Sequence, residues 1–189
     1  MRRALKKTAS NGICRACRKW APPPRMSIIE WATRYRYLST EEAGKPGKYR
    51  FDVTPHLIWP GGPLEALDDP NVFEVVGRKS AQVAWTSGVM GNAIGKWIDL
   101  DPSPILILFP KAEAAKQYVA EKLEPMIAAT KRLRKKVDLR SRKLQQRQDF
   151  KRFPGGFLKM VGSNSPSSVK STPVPRVAAA KSNTSWACS

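Results

Sequence analysis

The chain is poor in the residues from which most hydrolytic and metal centres are built. It has one histidine, His56, and three cysteines among 189 residues. A single imidazole without a local partner pattern gives no serine or cysteine triad and no metal cluster to argue from. Cys14-x-x-Cys17 has half the spacing of a zinc knuckle, but a second pair is missing and Cys188 is remote. Three cysteines do not make a disulfide framework, and the pair reads as two reduced thiols. Long apolar runs are missing too. The longest aliphatic block, Ile105-Leu106-Ile107-Leu108-Phe109, is far too short to span a bilayer, and the basic N-terminus is not followed by the apolar stretch of a secretory signal. These gaps predict a soluble, intracellular protein with no membrane partner.

Acidic residues are scarce: 15 Asp and Glu stand against 34 Lys and Arg, for a formal net charge of +19. Such an excess points to a polyanion, most often nucleic acid, because neutralised phosphates release condensed counterions. The alternative is a solubilising basic tail. The charge is clustered. Residues 1–20 carry seven Lys or Arg and no acid, and Lys131 to Arg152 carries eleven against Asp138 and Asp149. Arg132, Arg134, Lys135, Lys136, Arg140, Arg142 and Lys143 of the second cluster are the candidate DNA contacts, the other reading being a solvated charged helix and loop. Between the clusters the chain is closer to neutral.

Residues 1–25 read as a disordered basic arm that ends in Pro22-Pro23-Pro24. Ser27 is placed to N-cap a helix through Tyr35. Glu41 to Thr54, with Gly44, Pro46 and Gly47, reads as a loop, and Leu64 to Leu67 as a short helical piece. Val72 to Val76 is β-branched and aromatic, the pattern of a strand. Thr86 to Ile98 has helical periodicity. Ile105 to Phe109 suits a strand buried on both faces of a parallel sheet. Lys111 to Leu133 is again helical, and Pro125 inside it predicts a kink or two helices. Phe157 to Val161 is a further strand. The alternation of strand and helix predicts an α/β fold with a parallel sheet and flanking helices.

The connection Gly77-Arg78-Lys79-Ser80-Ala81-Gln82-Val83-Ala84-Trp85-Thr86 is the best place for chemistry. A loop that leaves a buried strand and opens a helix presents free N–H groups and the positive end of a helix dipole. A nucleotide phosphate needs those, with a lysine ammonium and a hydroxyl for Mg²⁺. Lys79 and Thr86 are of the right type. The strict G-x-x-x-x-G-K-[ST] pattern is absent, since Ala84-Trp85 stands where Gly-Lys belongs. Taken alone, the segment reads first as an ordinary polar strand-to-helix turn.

The run Glu74 to Val83 resembles the Walker A region of lambda-type phage terminase large subunits, the GpA family. Other landmarks follow in the same order: Trp31-Ala32-x-x-Tyr35-x-x-Leu38, Pro46-Gly47-Lys48-Tyr49 with Thr54-Pro55, Asp101-Pro102-x-Pro104-Ile105-Leu106, Leu123-x-Pro125-Met126-Ile127, Lys151 to Gly156, and Gly162-Ser163-Asn164-Ser165-Pro166. The resemblance covers about residues 26–174. It implies a P-loop NTPase-like domain that binds ATP and Mg²⁺ and, in the whole protein, drives double-stranded DNA into a capsid. The implied partners are the terminase small subunit and the portal of the procapsid, in the cytoplasm of a bacterial host, with an endonuclease joined C-terminally. By matching positions, Lys79 is the phosphate lysine, Ser80 and Gln82 lie in the cradle, and Thr86 is the Mg²⁺ hydroxyl. Tyr35 or Tyr49 either stacks on adenine or serves as a core aromatic.

The resemblance departs from the family at Ala84, where the family has glycine, and at Trp85, where its usual form has lysine. It also departs near the C-terminus. The family continues into an aliphatic strand that ends in Asp-Glu, the Mg²⁺ carboxylate and the water-orienting glutamate. Here Pro175-Arg176-Val177-Ala178-Ala179-Ala180-Lys181 follows, with no acid through Ser189. The expectation is therefore an incomplete, truncated domain over 26–174 and an unrelated, disordered tail over 175–189, produced by a frameshift or premature stop. Two other readings stand beside it: a non-catalytic basic nucleic-acid-binding protein, and a nonfunctional prophage remnant whose sheet lacks a central strand.

Overall fold

Ser27 closes the first helix in a reciprocal arrangement: its side chain accepts from the Glu30 N–H, and the Glu30 carboxylate accepts from the Ser27 N–H. A computed structural model describes residues 25–41, 44–80, 83–137, 139, 149–164, 174–180 and 185–188. The expected basic arm lies, but for Arg25, outside those residues, as do Gln82, Arg140, Arg142 and Lys143. Helix α1 (Ile28–Tyr35) runs into a two-stranded hairpin, β1 (Tyr37–Leu38) and β2 (Gly47–Lys48). The segment expected as plain loop thus contains a strand and, at Phe51–Val53, a 3-10 turn. A short helix α2 (Pro63–Ala66) follows.

Strand β3 (Val75–Arg78) begins three residues later than the apolar run predicts. Val72 and Phe73 stay outside the ladder, and Phe73 is 84% exposed. The chain then enters a widened π-type turn, Trp85–Gly91, that continues as α3 (Asn92–Asp99). Strand β4 (Ile105–Phe109) has the predicted bounds. The long helical stretch is divided as Pro125 implies. α4 (Ala112–Tyr118) passes through a second widened turn, Val119–Leu123, into α5 (Glu124–Ala129), with Pro125 at its first turn, where the missing N–H is harmless. α6 (Lys131–Lys136) is the last helix among the described residues. Strands β5 (Phe150–Phe153) and β6 (Gly156–Gly162) form a hairpin over Pro154-Gly155.

With β7 (Arg176–Ala180) and β8 (Ser185–Cys188), six strands among the described residues make the main sheet in the order β3-β8-β7-β4-β6-β5. β4 is parallel to both β6 and β7, while β8 and β5 run the other way. The fold is α/β, with a sheet that contains parallel strands and flanking helices. β3 and β4 point in the same direction but are separated by two strands. Those two strands are β7 and β8, in the segment expected to lie outside the fold.

That expectation is corrected at these residues, and the sheet does not lack a strand beside β4. Pro175 stands just before the first residue of β7, so its missing N–H removes no ladder bond. Arg176 then anchors the strand. Its guanidinium lies 4.8 Å from the Trp97 ring, donates to the Ser103 hydroxyl at 2.6 Å and the Asp101 carbonyl at 2.9 Å, and pairs with the Asp101 carboxylate. Ala178 is buried against the core.

The core lies between this sheet and the helices. Trp31 of α1 is fully buried over Gly95 of α3, where a Cβ would fall 2.3 Å from the indole. Only glycine allows that approach. Asp99, at the end of α3, accepts from Trp31 Nε1 at 2.9 Å and from Arg132 Nε at 2.5 Å, and pairs with Lys136 at 3.0 Å. One carboxylate thereby joins α1, α3 and α6.

Candidate nucleotide site

Between the β1–β2 hairpin and the start of the widened turn lies a cleft of about 1160 Å³. Its hairpin wall includes Lys45, Pro46, Gly47, Lys48, Tyr49 and Arg50, and its floor is reached by Ala84 and Ser87. The volume is somewhat above the roughly 300–1,000 Å³ of most small-molecule and cofactor sites. Both walls come from segments that the sequence marks: the Pro46-Gly47-Lys48-Tyr49 run and the connection after β3.

Ala84 has φ 55° and ψ 19°, and it is the one non-glycine residue with positive φ among the described residues. The left-handed region strains a Cβ, which explains why glycine suits this place. The helical geometry starts immediately after it. Trp85 turns back towards β3, and its indole lies against the Gly77 backbone, where a Cβ would come within 2.1 Å of the ring. The Trp85 Nε1 has no hydrogen-bond partner among the described residues. Thr86 is half-buried on the first turn.

The predicted site residues divide into two groups. Tyr49 lines the cleft, although it is only 5% exposed, and it meets Phe51 edge-on at 5.0 Å. Tyr35 does not line it. Its ring lies 4.3 Å from the guanidinium carbon of Arg132 and 5.6 Å from that of Arg34. Lys79 is half-buried with its Nζ 3.2 Å from the Ser80 carbonyl, and Ser80 is exposed. Neither Lys79 nor Thr86 is a lining residue of the cleft, which reaches the connection through Ala84 and Ser87. The basic stretch divides as well. Arg132 and Lys136 are engaged by Asp99, whereas Arg134 and Lys135 are exposed.

Two residues that sequence reasoning passed over brace the connection. His56 Nε2 lies 3.0 Å from the Val83 carbonyl. Arg36 is fully buried and donates through Nη1 to the Ser87 carbonyl and to Asn92 Oδ1, both at 2.5 Å, and through Nη2 to the Ser87 hydroxyl at 2.9 Å. Asn92 Nδ2 donates to the Gly88 carbonyl at 2.6 Å. A widened turn carries carbonyls out of ordinary helical register, and these side chains supply partners for two of them. A basic residue directly after a helix that ends in Arg34-Tyr35 reads as a C-terminal charge, so nothing in its local pattern announced burial.

The fold is an α/β sheet with flanking helices, and the cleft lies at the connection between an edge strand and a helix. Comparison with protein families goes further. The profile for the phage terminase large subunit gpA, ATPase domain, matches residues 43–184, and the chain belongs to that family. The match begins ahead of the hairpin wall and runs through β7. No curated protein and no solved structure matches the chain.

Among the described residues no helix is long and apolar enough to cross a membrane, and no group of three His, Cys, Asp or Glu side chains is placed to hold a metal ion.

Proposed function

We propose that the chain carries the nucleotide-binding part of an ATP-driven DNA-packaging motor, with ATP seated in the cleft between the hairpin and the Ala84 turn. The observation that supports this most is the left-handed Ala84 directly ahead of a helical start, on the same cleft as Tyr49 and two lysines. A left-handed residue followed by helical backbone turns successive N–H groups towards one side, and the helix start adds its positive dipole. Lys45 and Lys48 add cationic charge opposite, and the apolar faces of Pro46 and Tyr49 suit a base.

The lining residues suit ATP, with Ala84 and Ser87 on the phosphate side and the hairpin on the base side. Lys79, Ser80 and Gln82 belong to the same connection and are assigned to the phosphates by their place in the family's motif. ATP supplies the phosphoryl group whose transfer drives the family's motors. The fit to Mg²⁺ is incomplete. Thr86 offers a hydroxyl, but β7 and the residues after it hold no carboxylate. No hydrolytic step is assigned to this chain, because phosphoryl transfer depends on the metal carboxylate and the water-orienting glutamate.

Double-stranded DNA is the proposed polyanionic partner, met by the exposed Arg134 and Lys135 of α6 and by the basic residues that follow, Arg140, Arg142 and Lys143. The small subunit and portal are the proposed assembly partners, and the bacterial cytoplasm is the proposed site of action. Titration with a fluorescent ATP analogue tests the reading. Saturable binding that weakens in Lys79→Ala and Lys48→Ala, with no DNA-stimulated ATP turnover, is the expected result. An absence of binding by protein that melts cooperatively overturns the cleft assignment. Robust turnover abolished by Lys79→Ala overturns the statement about hydrolysis.

A further inference from the structure

We infer that Arg36 is a positioning residue that couples the two walls of the cleft into one unit. The inference rests on the reading of that cleft as the nucleotide site. Arg36 leaves α1 at its C-terminal end, and its carbonyl accepts from the Tyr49 N–H at 3.1 Å, which ties the hairpin wall to it. Its guanidinium carbon lies 4.6 Å from the centre of the Tyr49 ring. The same guanidinium grips Ser87 at both its carbonyl and its hydroxyl and reaches Asn92. Tyr49 and Ser87 are the two lining residues held by this one group, from opposite walls.

A planar fork suits this task and an ammonium does not. Arginine can stack on an aromatic face while donating in its own plane, whereas lysine is a point charge with one nitrogen. The group is also placed where it restricts the backbone that matters. Ser87 lies three residues after the left-handed Ala84, and the Gly88 N–H donates to the Ala84 carbonyl at 2.5 Å. Gly88 has no room for a side chain, since a Cβ would fall 2.3 Å from Leu57 and 3.0 Å from the Tyr49 hydroxyl. The Tyr49 hydroxyl thus packs close against the turn, and Arg36 holds both. Burying a guanidinium is expensive, and the bonds to Ser87 and Asn92 are what make it tolerable here.

Hydrogen exchange on the full chain without nucleotide tests the coupling directly. In Arg36→Lys and Arg36→Met the amides of Tyr49, Ser87 and Gly88 should exchange about tenfold faster together, while those of β4 and β6 keep their rates. Affinity for the fluorescent ATP analogue should fall about tenfold in both variants, lysine giving little rescue. Should the arginine variants fail to fold, Ser87→Ala removes one donor–acceptor pair and should loosen the same amides to a smaller degree. Uniformly faster exchange across the sheet, or unchanged affinity in a variant with a loosened turn, overturns the inference. If the unaltered chain binds no nucleotide, the nucleotide reading falls, and the exchange pattern alone decides whether Arg36 couples the walls.

Discussion

The indole of Trp85 lies against the backbone of Gly77, so closely that a Cβ on Gly77 would fall 2.1 Å from one ring carbon and 2.2 Å from the next. The two residues bracket the connection after β3, one on the strand and one on the first turn. Where the family's usual motif has a lysine reaching for phosphate, this chain has a ring that packs back on its own strand. Gly77→Ala should therefore destabilise by about 1–3 kcal/mol through overpacking. In Gly77→Ala/Trp85→Lys most of that loss should return, since the lysine stem leaves the space open. Thermal melts of the single and double variants check this, and simple additivity would count against the packing account.

Ala84→Gly should leave the fold intact and raise stability by up to about 1 kcal/mol. Relief of left-handed strain exceeds the extra entropy glycine brings to the unfolded chain. A melting temperature higher by a few degrees is the readout, at about 2–4 °C per kcal/mol for a chain of this size. The same change removes a methyl group from the cleft floor, so affinity for the ATP analogue should rise. A variant that is less stable and binds less tightly would contradict the backbone argument.

Asp99 governs the response to acid. Burial by itself raises its carboxyl, but hydrogen bonds from Arg132, Trp31 and Lys136 together outweigh burial and hold it below the ordinary carboxylate value. A depressed folded-state value means that its contribution is full above the unfolded value of about 3.9 and is lost as pH falls through the folded one. Stability measured from pH 7 downward should therefore show an Asp99-dependent loss only below about pH 4. Asp99→Asn should remove that loss and cost about 3 kcal/mol at neutral pH, because two cations lose their shared anion. Equal stability of the variant and the unaltered chain at pH 7 would refute the role.

The basic stretch should separate into structural and DNA-facing parts. Arg134→Ala and Lys135→Ala should leave the melting temperature nearly unchanged. Each should lower the salt dependence of DNA binding by about one unit of log-log slope. Arg132→Ala should instead lower the melting temperature, since it leaves Asp99 short of its closest cation. Melts and salt titrations on the same three variants distinguish the two classes.

Local signals were read where local physics decides. Ser27 is placed to cap a helix, Ile105 to Phe109 is almost wholly aliphatic, and Pro125 interrupts an apolar period. Each of these features formed the element its pattern implied. The start of β3 was misplaced because Val72 and Phe73 have strand chemistry but no ladder partner, and partners are not encoded locally. The segment from Arg176 was misjudged for the same reason. Short alanines and a preceding proline carry little strand signal, and their place beside β4 comes from backbone pairing and from Arg176 on Trp97.

Of the residues the sequence offered for the site, Tyr49 lines the cleft, whereas Tyr35, Lys79 and Thr86 do not. Residue types marked the connection from Gly77 to Thr86, and the family resemblance marked the run ending at Tyr49. Clustered charge likewise marked the stretch from Lys131. Only the tertiary structure decided that Arg132 and Lys136 serve Asp99, that Tyr35 stands apart from the cleft, and that Arg36 is buried between the walls. Those outcomes depend on which groups meet across tens of residues of chain, and a charge or an aromatic ring takes its role from the partner it meets there.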